Sequence, residues 1–173
     1  PVSGSAVVLY ATDTGGGNDI TQPVGVTGSD GVATGTVRST VAELKTVSAT
    51  IDAGAMTDEV EIDYVPGPVD LAVSGVTADK DTVTADGSDA AVISVVVRDA
   101  SGNTIAGSSV LLELSGSANS ITQPVGVTGS DGVATGTVRS TVAELKTLKA
   151  RIDGNYADVE VNMTFKAGSP EYI

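Results

Sequence analysis

Residues 20–46 and residues 121–147 are the same stretch of sequence, ITQPVGVTGSDGVATGTVRSTVAELKT, repeated without one exchange. The offset between the copies is 101 residues, the length of a small domain and far beyond the period of a solenoid repeat. Whatever fold the first copy adopts, the second must adopt too, so the chain reads as a tandem array. Packing would hold the buried half of such a stretch and leave the outer half to drift, yet Arg38 matches Arg139 and Glu43 matches Glu144. A chain of recent copies works by extent and repetition more readily than through one unique active site.

The local pattern is that of strands. Ala91, Ile93, Val95 and Val97 share one face, with Ser94 and Arg98 on the other, the period of two of a half-buried strand. Val110, Leu112 and Leu114 alternate with Leu111 and Glu113, and Val159, Val161, Met163 and Phe165 with Glu160, Asn162 and Thr164. Leu148, Ala150 and Ile152 point one way, Lys149 and Arg151 the other, and Asp153-Gly154-Asn155 supplies the turn that follows. Gly28-Ser29-Asp30-Gly31 and its copy Gly129-Ser130-Asp131-Gly132 read as tight hairpins. In the second copy the spacing predicts strands at 69–74, 82–85, 90–99, 108–115, 120–127, 132–141, 145–152 and 156–165, with at most one helical turn, over 141–145. Short strands at this spacing define an all-β chain of β-sandwiches with Greek-key connections.

Composition narrows the function classes. Hydrophobic residues make up 40% of the chain, enough for a core, but aromatic residues only 3%, so the core is aliphatic. With 9 basic and 22 acidic residues the formal charge is -13, and both nucleic-acid phosphates and anionic lipid surfaces would repel the chain. No apolar run reaches the ~18 residues that would span a bilayer, so no direct membrane insertion is expected. Cysteine and histidine are absent from the sequence, which removes disulfides, thiolate chemistry, the usual zinc sites and any Ser-His-acid triad. Paired carboxylates could serve glycoside hydrolysis, but these acids fall at outer strand positions and in turns, and sugar-stacking aromatics are scarce. The chain is read as no enzyme, with no catalytic residue.

Alignment of the copies predicts that the second is complete and the first is not. Residues 1–5 align with residues 104–108, so counterparts of residues 68–103 are missing from the first copy. Residues 167–173 resemble residues 65–71. The expectation is therefore an internal piece of a longer array.

The run Thr82-Val83-Thr84-Ala85-Asp86-Gly87, then Val95-Val96-Val97-Arg98-Asp99, Gly102-Asn103, Ile105-Ala106-Gly107 and Thr128-Gly129-Ser130-Asp131-Gly132-Val133-Ala134 with Ser140-Thr141 resembles the bacterial immunoglobulin-like domains of the intimin and invasin type. The resemblance covers residues 68–165 fully and residues 1–65 as a truncated copy. One departure is Ala143-Glu144-Leu145-Lys146-Thr147, where such domains more often carry a small glycine-containing turn. The resemblance implies tandem immunoglobulin-like Greek-key β-sandwiches: residues 1–66 a repeat lacking its first strands, 67–167 a complete repeat, and 168–173 the start of a further one. It also implies a role on the outer bacterial surface, as part of an adhesin stalk or extracellular fibre. The partners implied are neighbouring repeats, other chains through self-assembly, and a host or surface ligand reached through domains outside this sequence. The competing readings are a ligand-binding adhesin module, for which Tyr10, Tyr64, Tyr156, Tyr172 and Phe165 are the few aromatic anchors, and a spacer in a secreted polysaccharide-processing enzyme.

The linker Val65-Pro66-Gly67-Pro68 restricts the joint between copies through its prolines. Calcium is the one cofactor for which the sequence offers donors. Asp79, Asp81, Asp86 and Asp89 cluster round a glycine-containing loop and Asp99 closes the next strand, so these oxygens would gather near one end of the domain. The spacing fits no EF-hand loop, and the competing expectation is that these aspartates cap turns and keep the surface acidic. Gly15-Gly16-Gly17 lacks the lysine and helix of a phosphate cradle and reads as an inter-strand loop. The copies differ in length here, residues 10–19 against 113–120, so any difference in partner binding is expected at this loop.

Overall fold

The structure is a computed structural model and describes residues 1–55 and 58–169. It divides into two compact units, Pro1–Pro66 and Gly67–Ile173. The first unit contains β1 (Val7–Ala11), β2 (Asn18–Thr21), β3 (Thr36–Ser39), β4 (Leu44–Ile51), β5 (Gly54–Ala55) and β6 (Val60–Asp63). The second contains β7 (Gly75–Ala78), β8 (Thr82–Thr84), β9 (Ala91–Val96), β10 (Val110–Leu114), β11 (Asn119–Thr122), β12 (Val133–Ser140), β13 (Leu145–Ile152), β14 (Asn155–Tyr156) and β15 (Val161–Lys166).

In the second unit two sheets face each other. One has the order β11-β12-β9-β7, the other β10-β13-β15-β8 with β14 on β13. All pairings are antiparallel except that of β15 with β8, and the chain changes sheet from β7 to β8, back at β9, and again at β10, β11 and β13. The inward positions read from the alternation close the core: Ala91, Ile93, Val95, Val97, Leu112, Val138, Leu148, Ala150, Ile152, Met163 and Phe165 are all buried. At the β13–β14 hairpin Asp153 and Gly154 both have positive φ, 48° and 85°, as a tight turn that follows strand twist requires.

Three local expectations are corrected. Residues 69–74 are not a strand: Asp70 Oδ1 accepts the N–H groups of Ala72 and Val73, and the Ser74 hydroxyl donates to the Asp70 carbonyl at 2.7 Å. These short-range bonds compete with a ladder, so Val69 keeps a single bridge to Asp99 and the strand starts at Gly75. Residues 141–144 form a bend instead of a helical turn, since the Ser140 hydroxyl takes the Val142 N–H at 3.1 Å. The Asp30-Gly31 turn closes locally from Gly28 to Val32 at 3.0 Å, but the strands it separates pair from Thr21 to Thr36, with a long loop between. The Gln22 side chain explains the detour. Its amide both accepts from and donates to the backbone of Leu9 at 2.7 and 2.8 Å, drawing the chain across to the other sheet, and Gln123 does the same at Leu112.

The first unit repeats this framework. Asp52 caps the Ala6 N–H as Asp153 caps that of Ser109, and Thr27 receives the Ser5 N–H as Thr128 receives that of Ser108, confirming the alignment of residues 1–5 with 104–108. Its sheets are β1-β4-β5 with β6 on β4, and β2-β3; among the described residues none forms strands in the places that β7, β8 and β9 take in the second unit. The consequence is visible in identical sequence. β3 has four residues where β12 has eight, because the first half of β12 is a strand by virtue of pairing with β9. Ile51 is 39% exposed where its counterpart Ile152 is fully buried. Of the expected further repeat at 168–173, residues 170–173 lie outside the described residues.

The two isoleucines provide a test within one chain. Ile152→Ala should cost about 2–5 kcal/mol in the second unit and Ile51→Ala less than half of that in the first, measured by denaturant unfolding of each variant.

Candidate functional site

Of the five aspartates that sequence reading grouped, the fold sets Asp99 apart. Asp86 and Asp89 precede β9 and Asp99 follows it, so the six residues of that strand, about 20 Å, stand between them. Asp86 accepts the N–H groups of Ser88 and Asp89, both at 2.7 Å, and these two bonds, Asp89 first, hold its carboxyl below the ordinary range. Asp89 pairs with Lys80 at 2.6 Å and accepts the Thr84 N–H, and Lys80 first and Thr84 next depress its carboxyl. Asp79 accepts the Val92 N–H at 2.8 Å, and Asp81 supplies its backbone carbonyl to Thr164. Among the described residues no three acidic side chains form a group that would hold a metal ion. The carboxylates of Asp79, Asp86, Asp89 and Asp99, which the sequence reading took as donors for a cation, are here acceptors for backbone N–H groups.

Asp99 is the most heavily used of the five. It is buried, which by itself raises its pKa, but the Asn103 side chain and the N–H groups of Gly67, Asn103 and Ser101 bond to it at 2.8–2.9 Å and carry the net shift downward. Gly67 belongs to the linker, so this carboxylate pins the entering peptide to the turn after β9.

A second arrangement was missed in the sequence. Lys146 and Lys45 are fully buried, each on the core face of its strand. The Lys146 ammonium lies 2.5 Å from Glu144, 3.0 Å from the Ser117 carbonyl and 5.7 Å from the centre of the Phe165 ring. Lys45 pairs with Glu43 at 2.5 Å, and Thr14 donates its hydroxyl to the same carboxylate. A buried ammonium is tolerable only when paired and hydrogen-bonded, so the loop before β11 is part of the arrangement. Gly116, at a φ of 80°, leaves the room: a Cβ there would run into the Glu144 carboxylate and reach within 2.8 Å of the Lys146 ammonium. In the first unit the triple-glycine loop takes this place, with Thr12 and Thr14 bonding to Lys45 and Glu43, so its extra length is compatible with the same buried pair. The signal was available: the period of two that puts Leu148 inward also puts Lys146 inward and leaves Leu145 exposed.

The outer face of the same sheet differs between the copies. In the second unit Tyr156 lies under Arg151 at 4.2 Å and Lys149 at 5.8 Å, Arg151 pairs with Glu113, and Lys149 pairs with Glu160. Ser48 and Thr50 stand where Lys149 and Arg151 do, whereas the inward Ala49 and Ile51 match Ala150 and Ile152.

These features belong to a known class of repeat. The model of the bacterial Ig-like domain (group 1) family matches residues 73–166, more than half of the chain, and the chain belongs to that family. It is 32% identical over 99 residues to the inverse autotransporter adhesin YeeJ of Escherichia coli K12, a match that covers 57% of this chain and 4% of that protein. Among solved structures it is similar to InvD of Yersinia pseudotuberculosis, with a TM-score of 0.68 at 22% identity over 97% of this chain and 49% of that one. It is also similar to the Escherichia coli adhesin FdeC, with a TM-score of 0.69 at 21% identity over 98% of this chain and 55% of that one. The fold is thus the immunoglobulin-like β-sandwich of these adhesins, and the chain spans a small part of the curated relative it matches.

Two outcomes follow from this chemistry. The melting curve should be the same in excess calcium and in chelator, because the carboxylates already serve the fold; a rise with calcium would reinstate the ion. Lys146 first, and the Ser117 N–H second, lower the Glu144 pKa from its ordinary 4.5. A carboxyl depressed in the folded state stabilises fully above its ordinary value, and that contribution is lost as pH falls through the lower folded value. Glu144→Gln should therefore lower the melting temperature at pH 7 and flatten its decline below pH 4.5, read by calorimetry across that range.

Proposed function

We propose that this chain is a run of structural repeats in the stalk of a bacterial surface adhesin or extracellular fibre, holding other parts of the protein away from the cell. The observation that carries this reading is what the duplicated stretch is used for. Its distinctive groups, Gln22 and Gln123, Thr27 and Thr128, Lys45 and Lys146, all bond within their own unit; the glutamines and threonines do so in the same way in both, and each lysine pairs with the glutamate two residues before it. Duplication has preserved a load-carrying framework, while the outer face of β13 has been left to vary. The entering linker is fixed by Asp99, which suits a repeat that hands direction on from the chain before it. The similarity to adhesins supports a location outside the cell, and the acidic surface fits a soluble spacer that neither nucleic acid nor anionic lipid would attract. The chemistry is that of a non-catalytic module, with neighbouring repeats as its first partners and any host or surface ligand met by other domains.

Negative-stain electron microscopy of the full-length protein released from its cells tests this. The expected image is a beaded rod with about 35–45 Å per repeat, from strand length plus end loops. Compact particles without a rod would refute the stalk, and long filaments joining many chains would make assembly the function.

A further inference from the structure

β1 and β10 each stand at the end of a sheet, with a full strand partner on one side only, β4 and β13. On the other side the following chain meets them at one isolated bridge, Ala6 to Val26 and Ser109 to Val127. It does not continue as a strand there, since Pro124 has no N–H for a ladder and Gly126 turns the backbone at a φ of 78°. Side chains take over the edge instead. The Thr128 hydroxyl accepts the Ser108 N–H at 3.0 Å, and the Thr128 N–H goes to the Ser108 carbonyl at 2.9 Å. Gln123 accepts the Leu112 N–H at 2.7 Å and donates to the Leu112 carbonyl at 2.8 Å, while Asn119 donates to the carbonyls of Leu114 and Ser115. The first unit does the same with Thr27 on Ser5, Gln22 on Leu9 and Asn18 on Thr12. The edge closed in this way is apolar: Leu111, Val127 and Val125 are exposed along it, Val125 at 94%, as are Val8, Val26 and Val24 at the matching places. An apolar strand edge with open main-chain groups is a template for another strand, and in a tandem array every copy carries the same edge.

We propose that Gln22 and Gln123 guard this edge: by filling the main-chain groups of Leu9 and Leu112 they keep each repeat from pairing there with the same edge of a second copy of this chain. A side-chain amide suits the task because it carries a donor and an acceptor side by side, the pair that a residue of a neighbouring antiparallel strand would present. Leu112 is the position where one side chain does most. In a strand every second residue turns its N–H and C=O to the same side, so the outer edge consists of Ser108, Val110, Leu112 and Leu114. With Thr128 on Ser108, Gln123 on Leu112 and Asn119 on the Leu114 carbonyl, no two successive positions of that edge stay open to a ladder. Loss of the glutamine joins Val110, Leu112 and the Leu114 N–H into one open run beside exposed Leu111. Both glutamines lie inside the duplicated stretch, so each copy brings its own guard with it. This inference stands apart from the stalk reading, since it concerns how repeats remain separate whatever the array carries.

The test compares the 173-residue chain with its Gln123→Met variant, which keeps the length of the side chain and removes both hydrogen-bonding groups. The wild-type chain is the reference, so association through any other edge is present in both. Sedimentation velocity over a range of concentrations should show the association constant raised by roughly ten-fold or more, the worth of the two main-chain bonds that a freed Leu112 on each copy can exchange. The sequence has no cysteine, so a nitroxide placed at Leu111→Cys reports this edge alone, and in the Gln123→Met background it should find a second nitroxide within about 20 Å, as strands about 5 Å apart require. Adding Leu111→Lys to Gln123→Met without the label should return association to the wild-type level, because a charge on the outer side of an edge strand opposes pairing. Association of Gln123→Met no stronger than wild type overturns the proposal. Equal association with and without the lysine also overturns it, since the glutamine would then act only by holding its loop. Where Gln123→Met leaves the second unit unfolded, Gln22→Met opens the same edge at Leu9, with Val8→Lys as its restoring partner, and the same two outcomes decide.

Discussion

Closure of one apolar sheet face by another is the constraint on which the rest of this structure depends. A strand that alternates apolar and polar residues has solved half of its problem, and the other half must come from strands remote in sequence. The second unit has that closure through β7, β8 and β9, and its aliphatic side chains disappear from solvent. The first unit has the same residues along β3 and nearly the same inward residues along β4 without it, and there these side chains remain half open. Identical sequence therefore gives different strand lengths and different burial, which makes burial a property of the completed sandwich.

This division explains what was legible in the sequence. The inward set of β9, the alternation along β13 and the turn at Asp153-Gly154 were readable because a period of two and a positive φ are local properties. The β-sandwich followed from those, whereas the immunoglobulin-like class came from the resemblance of the motifs and the alignment of the incomplete copy from the duplicated stretch. The strand at 69–74 was not readable, because Asp70 and Ser74 spend their side chains on the backbone nearby, and apolar character at Val69, Leu71 and Val73 masks that competition. The placing of Asp99 with the other aspartates departs from the structure for a different reason. Sequence distance counts residues, whereas a strand converts them into length, so Asp99 was carried far from Asp86 and Asp89 by the strand between them.

The buried lysines are the more instructive omission. Charge was taken as a sign of the outer face, yet Lys146 and Lys45 take core positions with Leu145 and Leu44 turned out. The glutamate two residues earlier stays partly in water and still reaches the ammonium, so one side chain bridges interior and solvent. Removing the glutamate leaves the buried ammonium without its charge partner, and a pair of this kind constrains which loop can sit above it. That requirement gives the glycines at 15–17 and at 116 a structural meaning that their sequence context alone did not supply.

The clamp at Asp99 has a mechanical meaning. Tension arriving through the linker meets the Gly67–Asp99 bond before it meets β7, and tension leaving at the far end enters β15, which runs parallel to β8. Pulled at both ends, the second unit would be loaded at β7 on β9 from one side and at β15 beside β8 from the other. The carboxylate that closes the turn after β9 thus also decides where a pull on the linker enters the sandwich.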